Sequence, residues 1–167
     1  MPQELDWTYY DSVTSGTTAS ATLTFFAQSE SATNKQTTNM PSAGKLNSSE
    51  SIVVHEIIAY CESDTEHADL IKLYDKAVLE FLVSNNRILV APLLLFAPEN
   101  YLHSIASTLN QAATVGVSMP SGKGFVLKNP ITIPGGTPFS VKVKIGEGST
   151  PTASDIKVCL RGILRRG

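Results

Sequence analysis

"VLEFLVSNNRILVAPL" (Val78–Leu93) decides the fold class. Leu79, Phe81 and Val83 point to one side and Glu80, Leu82 and Ser84 to the other, the two-residue period of a strand with one buried face. Asn85-Asn86 is a turn signal, because asparagine tolerates the positive φ of a tight hairpin turn. "RILVAPL" then returns as the second strand. Two strands joined by so short a connection must be antiparallel.

The same period recurs along the chain. "PFSVKVKIGEG" (Pro138–Gly148) sets Phe139, Val141, Val143 and Ile145 inward and Ser140, Lys142 and Lys144 outward. "DIKVCLRGILRRG" (Asp155–Gly167) alternates Ile156, Val158 and Leu160 with Lys157, Cys159 and Arg161. "ATLTFFA" (Ala21–Ala27) and "SIVVHEIIAYC" (Ser51–Cys61) read as further strands. "FVLKNPITIPGG" (Phe125–Gly136) reads as a strand in which Pro130 implies an edge, a bulge or a break.

Two stretches change period. In "SDTEHADLIKLYDKA", Ser63 and Glu66 match a capping box, and Leu70, Leu73, Tyr74 and Ala77 fall at helical spacing, which predicts a helix over 65–76. "APENYLHSIASTLNQAA" (Ala97–Ala113) reads as a second helix, with Ile105 and Leu109 in its stripe. Seven or eight strands, long Pro/Gly/Ser loops and no βαβ rhythm predict an all-β fold. The arrangement expected is a single jelly-roll sandwich of about eight antiparallel strands with two short inserted helices. Residues 1–20 read as an irregular N-terminal arm anchored by Trp7, Tyr9 and Tyr10, and residues 21–167 as the jelly-roll domain.

"TFFAQSESATNKQTTNMPSAGKL" (Thr24–Leu46) begins as a strand and then holds no large apolar residue until Met40. A slack connection of that length inside one domain is uncommon, so it reads as a functional loop. Its short amides and hydroxyls can bond a neighbour's backbone. The expectation is that 34–41 is ordered by contacts between subunits, with Trp7, Tyr9, Tyr10, Asn34, Lys35, Gln36, Thr37, Thr38, Asn39 and Met40 as subunit-contact candidates.

The charged fraction, 17%, is below the ordinary share of about 25%, which suits a surface packed against neighbours. The net charge of −2 hides an asymmetry: four Lys/Arg against twelve acids in residues 1–84, and nine against three in 85–167. Such a split makes either opposite faces or a head-to-tail contact, unless the halves interleave in one sheet. Arg161, Arg165 and Arg166 form the one basic cluster suited to phosphate; it reads as a subunit-contact or solvated tail, or as a weak nucleic-acid contact that many copies would add up.

No catalytic or metal motif emerges. His55, His67 and His103 lie in no HxH or HExxH setting, and "SGKG" (121–124) lacks the Walker spacing. The acid-rich patches Glu50/Glu56 and Glu62/Asp64/Glu66 read as solvated faces or a helix N-terminus. Cys61 and Cys159 are far apart and read as buried thiols, consistent with assembly in a cytosol. No signal peptide is visible, and the longest apolar run, "ILVAPLLLFAP", is about half of what a membrane span needs. The expectation is a non-enzyme with no cofactor, no metal and no membrane span.

The chain resembles the single jelly-roll capsid (coat) proteins of tailless icosahedral bacteriophages. The resemblance rests on "FFAQSESATNKQTTNMPSAGKL" after the first strand, "SIVVHEIIAY", "VLEFLVSNNRILVAPL", "ITIPGGTPFSVKVKI" and the closing "GILRRG", and covers roughly Ala21 to Gly167. It implies a structural protein of the virion, assembled in the host cytoplasm into an icosahedral shell around the genome. Its partners would be copies of itself in trimers, pentamers or hexamers, and other capsid proteins. The N-terminal segment departs from the Arg-rich arms of many plant-virus coats, leaving the basic C-terminus for any nucleic-acid contact. The alternative is a carbohydrate- or receptor-binding jelly-roll module, a spike or adhesin head, using Trp7, Tyr9, Tyr10 or Tyr101 for stacking.

Overall fold

The computed structural model describes residues 3–61, 65, 67–98, 123–146 and 154–167. In chain order the elements are β1 (Gln3–Thr14), β2 (Thr22–Phe25), β3 (Glu50–Cys61), α1 (His67–Lys76), β4 (Val78–Val83), β5 (Asn86–Pro92), a short 3-10 helix (Leu93–Phe96), β6 (Phe125–Ile133), β7 (Phe139–Lys144) and β8 (Asp155–Arg166). The strands form two four-stranded antiparallel sheets, ordered β1-β8-β3-β6 and β2-β7-β4-β5. Four of the pairings are nested: β1 with β8, β2 with β7, β3 with β6 and β4 with β5. The chain is thus paired from its ends inward, like one long hairpin, with successive pairs falling in opposite sheets.

The inward rows meet as the alternation predicts. Phe139, Val141 and Val143 of β7 and Ile156, Val158, Leu160 and Leu164 of β8 are all buried. An aromatic cluster joins β4, β7 and the end of β2: Phe139 lies 5.5 Å from Phe26 and 6.4 Å from Phe81, ring centroid to centroid. Such tilted and edge-on contacts are the preferred aromatic geometries. The β4–β5 turn sits one residue earlier than the Asn-Asn pair. Ser84 and Asn85 carry the positive φ, 51° and 62°, and Val83 opposes Asn86. A two-residue hairpin loop with both residues at positive φ matches the right-handed twist of the strands.

The segment expected to be irregular is instead β1, paired with β8 along its whole length from Gln3–Arg166 to Thr14–Asp155. Tyr9 and Asp11 are buried, with Trp7 and Val13 packed partly against the core. The inward row therefore contains a carboxylate, which hides the strand period from hydropathy. Pro130 behaves as expected of a strand proline: Ile131 opposes Val54 and Val126 opposes Glu56, so Leu127–Pro130 bulges opposite His55 on an edge strand. The helix expected over 65–76 runs His67–Lys76, with Leu70 and Leu73 buried. The capping pair Ser63/Glu66 and the second helix beyond Pro98 lie outside the described residues. Leu93, expected to end the β5 strand, instead opens the 3-10 helix Leu93–Phe96, which buries Leu93 and Phe96.

Candidate functional site

The polar loop after β2 is held by its own chain. Asn39 lies along the outer edge of β1: its Oδ1 accepts the Tyr10 N–H and its Nδ2 donates to the Thr8 carbonyl, both at 2.8 Å. Its backbone N–H donates to the Tyr10 carbonyl at 3.3 Å, and Thr38 bridges Asp11 beside it. Asn34 closes a turn, its carbonyl accepting the N–H groups of Thr37 and Thr38 at 2.9 and 3.1 Å and the Thr37 hydroxyl at 2.8 Å. Its side-chain Nδ2 donates to the Ser29 carbonyl at 3.0 Å. The Tyr10 hydroxyl donates to the Lys35 carbonyl.

The amides and hydroxyls expected to bond a neighbour's backbone bond β1 and the loop itself. Tyr9, Thr38 and Met40 are buried within the one chain, so they offer no side chain to another subunit. Burial, helped by the charge of Glu50, raises the Tyr9 phenol to about 12. Lys35 and Gln36 are the contact candidates left exposed, with Lys35 3.2 Å from Glu30.

Beneath the loop lies the buried carboxylate of Asp11. It accepts hydrogen bonds from the Phe26 N–H and, at 3.0 Å, from Gln28 Nε2, and it is bonded also by the Thr38 side chain and the Ser12 backbone. Desolvation raises its pKa above the ordinary value of 3.8, and the hydrogen bonds oppose that rise. Asp11 thus ties β1 to the end of β2 and to the loop.

The C-terminal arginines are each set opposite a carboxylate by the sheet register. Arg161 opposes Glu56, Arg165 opposes Glu4 and Arg166 opposes Glu50, with N···O distances of 2.9, 2.9 and 2.7 Å. Glu80 completes the pattern, 3.0 Å from Lys144 and 3.4 Å from Arg87, and its hydrogen bond to Lys144 lowers its pKa. Among the described residues, cross-strand pairs therefore join Glu4, Glu50, Glu56 and Glu80 of the acidic first half to basic residues of the second. The cluster proposed for phosphate is neutralised within the protomer. Arg166 also lies over the Trp7 ring, 5.6 Å from its centroid, and Trp7 stands edge-on to Tyr9 at 6.1 Å. Trp7 is half-buried there, at the side of a surface concavity, and Tyr9 is buried.

Concavities mark the described surface. One, about 510 Å³, crosses the outer face of β1, β8 and β3 and includes Asp6, Thr8, His55, Glu56 and Arg161. Another, about 650 Å³, opens between the β4–β5 hairpin and β6, along Ile88, Leu89, Phe125, Leu127 and Pro130. Beside it Ile88, Val90, Leu94 and Leu95 stand exposed, residues that sequence reading passed over. Their signal was present: Ile88-Leu89-Val90 and Leu93-Leu94-Leu95 are apolar at consecutive positions, where one face of a strand needs only alternate ones.

Cys61 is buried and Cys159 half-buried; burial pushes their thiols up to about 12 and about 11, far from reactive thiolates. Among the described residues, no group of three His, Cys, Asp or Glu could hold a metal ion, and no helix is long and apolar enough to cross a membrane. His103 and Tyr101 lie outside the described residues. Comparison with protein-family models, curated proteins and solved structures returned no match.

Proposed function

We propose that this chain is a single jelly-roll capsid subunit that assembles with copies of itself into an icosahedral shell. The observation that carries the reading is the nested pairing of β1 with β8, β2 with β7, β3 with β6 and β4 with β5, split between two sheets. That order is what rolling up one antiparallel hairpin gives, and viral capsid domains are among the users of such double-sheet rolls. The low charged fraction, 17%, suits a surface that packs against other subunits. On this reading the chain resides in the virion, is built into the shell in the host cytoplasm, and performs no catalysis.

The binding-module alternative has less support, since the roles assigned to Trp7, Tyr9 and Tyr10 require open rings. Tyr9 is buried, Trp7 sits under Arg166 and the Tyr10 hydroxyl is held by the loop. The test is electron microscopy and sedimentation of the purified chain at rising concentration. Closed particles or rings of discrete size are expected. A chain that stays monomeric throughout, and binds one glycan on an array, reverses the choice.

A further inference from the structure

Among the described residues, four of the five large apolar side chains that stand exposed lie on β5 and on the 3-10 helix that continues it: Ile88 (51%), Val90 (46%), Leu94 (53%) and Leu95 (52%). The fifth, Val126, is on β6, across the groove. Scattered apolar residues on a surface need no explanation, but four gathered on one edge do. The two lateral sides of the sandwich are treated differently. Asn39 and Thr38 cover the β1 edge, whereas the far side of β5 has no backbone partner among the described residues.

The geometry points to a second copy of this chain as the occupant: we infer that β5 and the 3-10 helix form a twofold contact between subunits, with the two β5 strands running antiparallel. The inference rests on the self-assembly reading above. An extended peptide adding itself as a strand is a poor fit. The register of β5 slips at Ile88, since Phe81 opposes Leu89 while Leu82 opposes Arg87, and Pro92 ends the strand without an N–H. A bulge and a proline both spoil an edge as a hydrogen-bonding template. What remains is a row of apolar side chains, which a like row can cover.

The flanking charges favour the antiparallel sense. Arg87, its side chain 58% exposed, stands at the start of β5, 3.4 Å from Glu80, a carboxylate that Lys144 also holds at 3.0 Å. Exposed Asp75, followed by exposed Lys76, ends α1, which packs on β5 and on the 3-10 helix; Val78, just beyond, opposes Pro92. A twofold axis through the middle of β5 brings each Arg87 toward the Asp75 end of the partner and sets Ile88 beside Val90. A parallel alignment would set Arg87 against Arg87. Four half-exposed side chains per copy are fewer than a stable isolated interface of 20–30 residues a side uses, so the contact is weak alone and strengthened by repetition in a closed assembly.

The test is sedimentation velocity and electron microscopy of the full chain over a concentration series, for wild type, Val90→Lys and Leu94→Glu. Both positions are exposed, so each variant should keep the wild-type melting temperature while its dissociation constant rises at least tenfold. Arg87→Asp and Asp75→Arg should each weaken association, and the double swap should restore it at least partly. If wild type forms dimers but no particles, and the variants abolish the dimers, the contact stands and the shell reading fails. If wild type and variants assemble alike, the contact is overturned and the shell reading stands. A melting temperature lowered in Val90→Lys with association unchanged means the chain itself covers the patch, which also overturns it. A wild type that is monomeric at every concentration overturns both.

Discussion

Replacing Asn39 by alanine should destabilise the protomer by about 1–3 kcal/mol. Asn39 makes two side-chain hydrogen bonds to β1, each 2.8 Å long and part-buried, one accepted from Tyr10 N–H and one donated to the Thr8 carbonyl. A hydrogen bond contributes about 0.5–1.5 kcal/mol net, and a donor or acceptor left buried without a partner costs about as much or more. The sum of two such bonds sets the range. The backbone bond from Asn39 N–H to the Tyr10 carbonyl, 3.3 Å, remains in the variant, which keeps the loss from growing further. Urea unfolding read by far-ultraviolet circular dichroism gives the difference, and hydrogen exchange at the Tyr10 amide locates it.

Asn39→Asp sharpens the argument. The aspartate keeps an acceptor for Tyr10 N–H but turns an oxygen toward the Thr8 carbonyl, where Nδ2 now donates. At neutral pH it should lose at least as much stability as alanine, and part of the loss should return in acid when the new carboxyl regains a proton to donate. A loss below about 0.5 kcal/mol in Asn39→Ala, within the scatter of ordinary surface substitutions, would falsify the idea that this amide secures the sheet edge.

Three further outcomes follow from the geometry. Gly162→Ala should cost about 1–3 kcal/mol by overpacking, because a Cβ there would lie 2.0 Å from the Val53 carbonyl oxygen on the neighbouring strand; an unchanged thermal midpoint contradicts it. Arg166→Ala should cost more than Arg165→Ala, because Arg166 pairs with a largely buried Glu50 and covers Trp7, whereas Arg165 and Glu4 are both open to water; the exposed pair should be worth about 0–1 kcal/mol by chemical denaturation. Asp11 titrates with a raised pKa in the folded state, so its contribution relative to Asp11→Asn is fullest below the ordinary value of 3.8 and is lost as pH rises through the raised value; paired unfolding curves from acid to neutral pH that diverge in the opposite sense refute it.

Sequence showed most of the sheets because the strands of the inner core alternate cleanly. β7 sets Phe139, Val141 and Val143 inward between Ser140, Lys142 and Lys144, β4 sets Leu79 and Phe81 inward, and the turn between β4 and β5 has few backbone solutions. β1 was illegible for a specific reason. One of its inward positions is Asp11, tolerable there only because Phe26, Gln28 and Thr38 bring donors from elsewhere in the chain. The loop was half legible: its amides do bond a backbone, but the backbone is β1, and a side chain's chemistry does not say whose carbonyl it will meet. The partners of the basic C-terminus were illegible because register is a property of two strands together. Arg161, Arg165 and Arg166 lie more than a hundred residues from Glu56 and Glu4 and Glu50, and only the pairing of β8 with β1 and β3 brings them within 3 Å.

That register pairs all three C-terminal arginines within the protomer, which bears on how a shell could close. A twofold contact is isologous and uses itself up, so one such contact per chain ends at a dimer. A shell needs at least one further, head-to-tail contact between different surfaces. On the proposed reading the β5 edge supplies the first kind. The second must come from surfaces that β5 does not occupy, and two are at hand. One is the exposed Lys35–Gln36 tip of the loop; the other is the concavity over β1, β8 and β3, with Asp6 and His55 at its surface. Lys35 of one copy meeting Asp6 in the hollow of another would be a heterologous pair. Lys35→Glu should therefore block particles while leaving the β5 dimer intact, whereas Val90→Lys should block both. Sedimentation of the two variants side by side separates the contacts, and particles formed normally by Lys35→Glu remove the loop tip from the assembly surface.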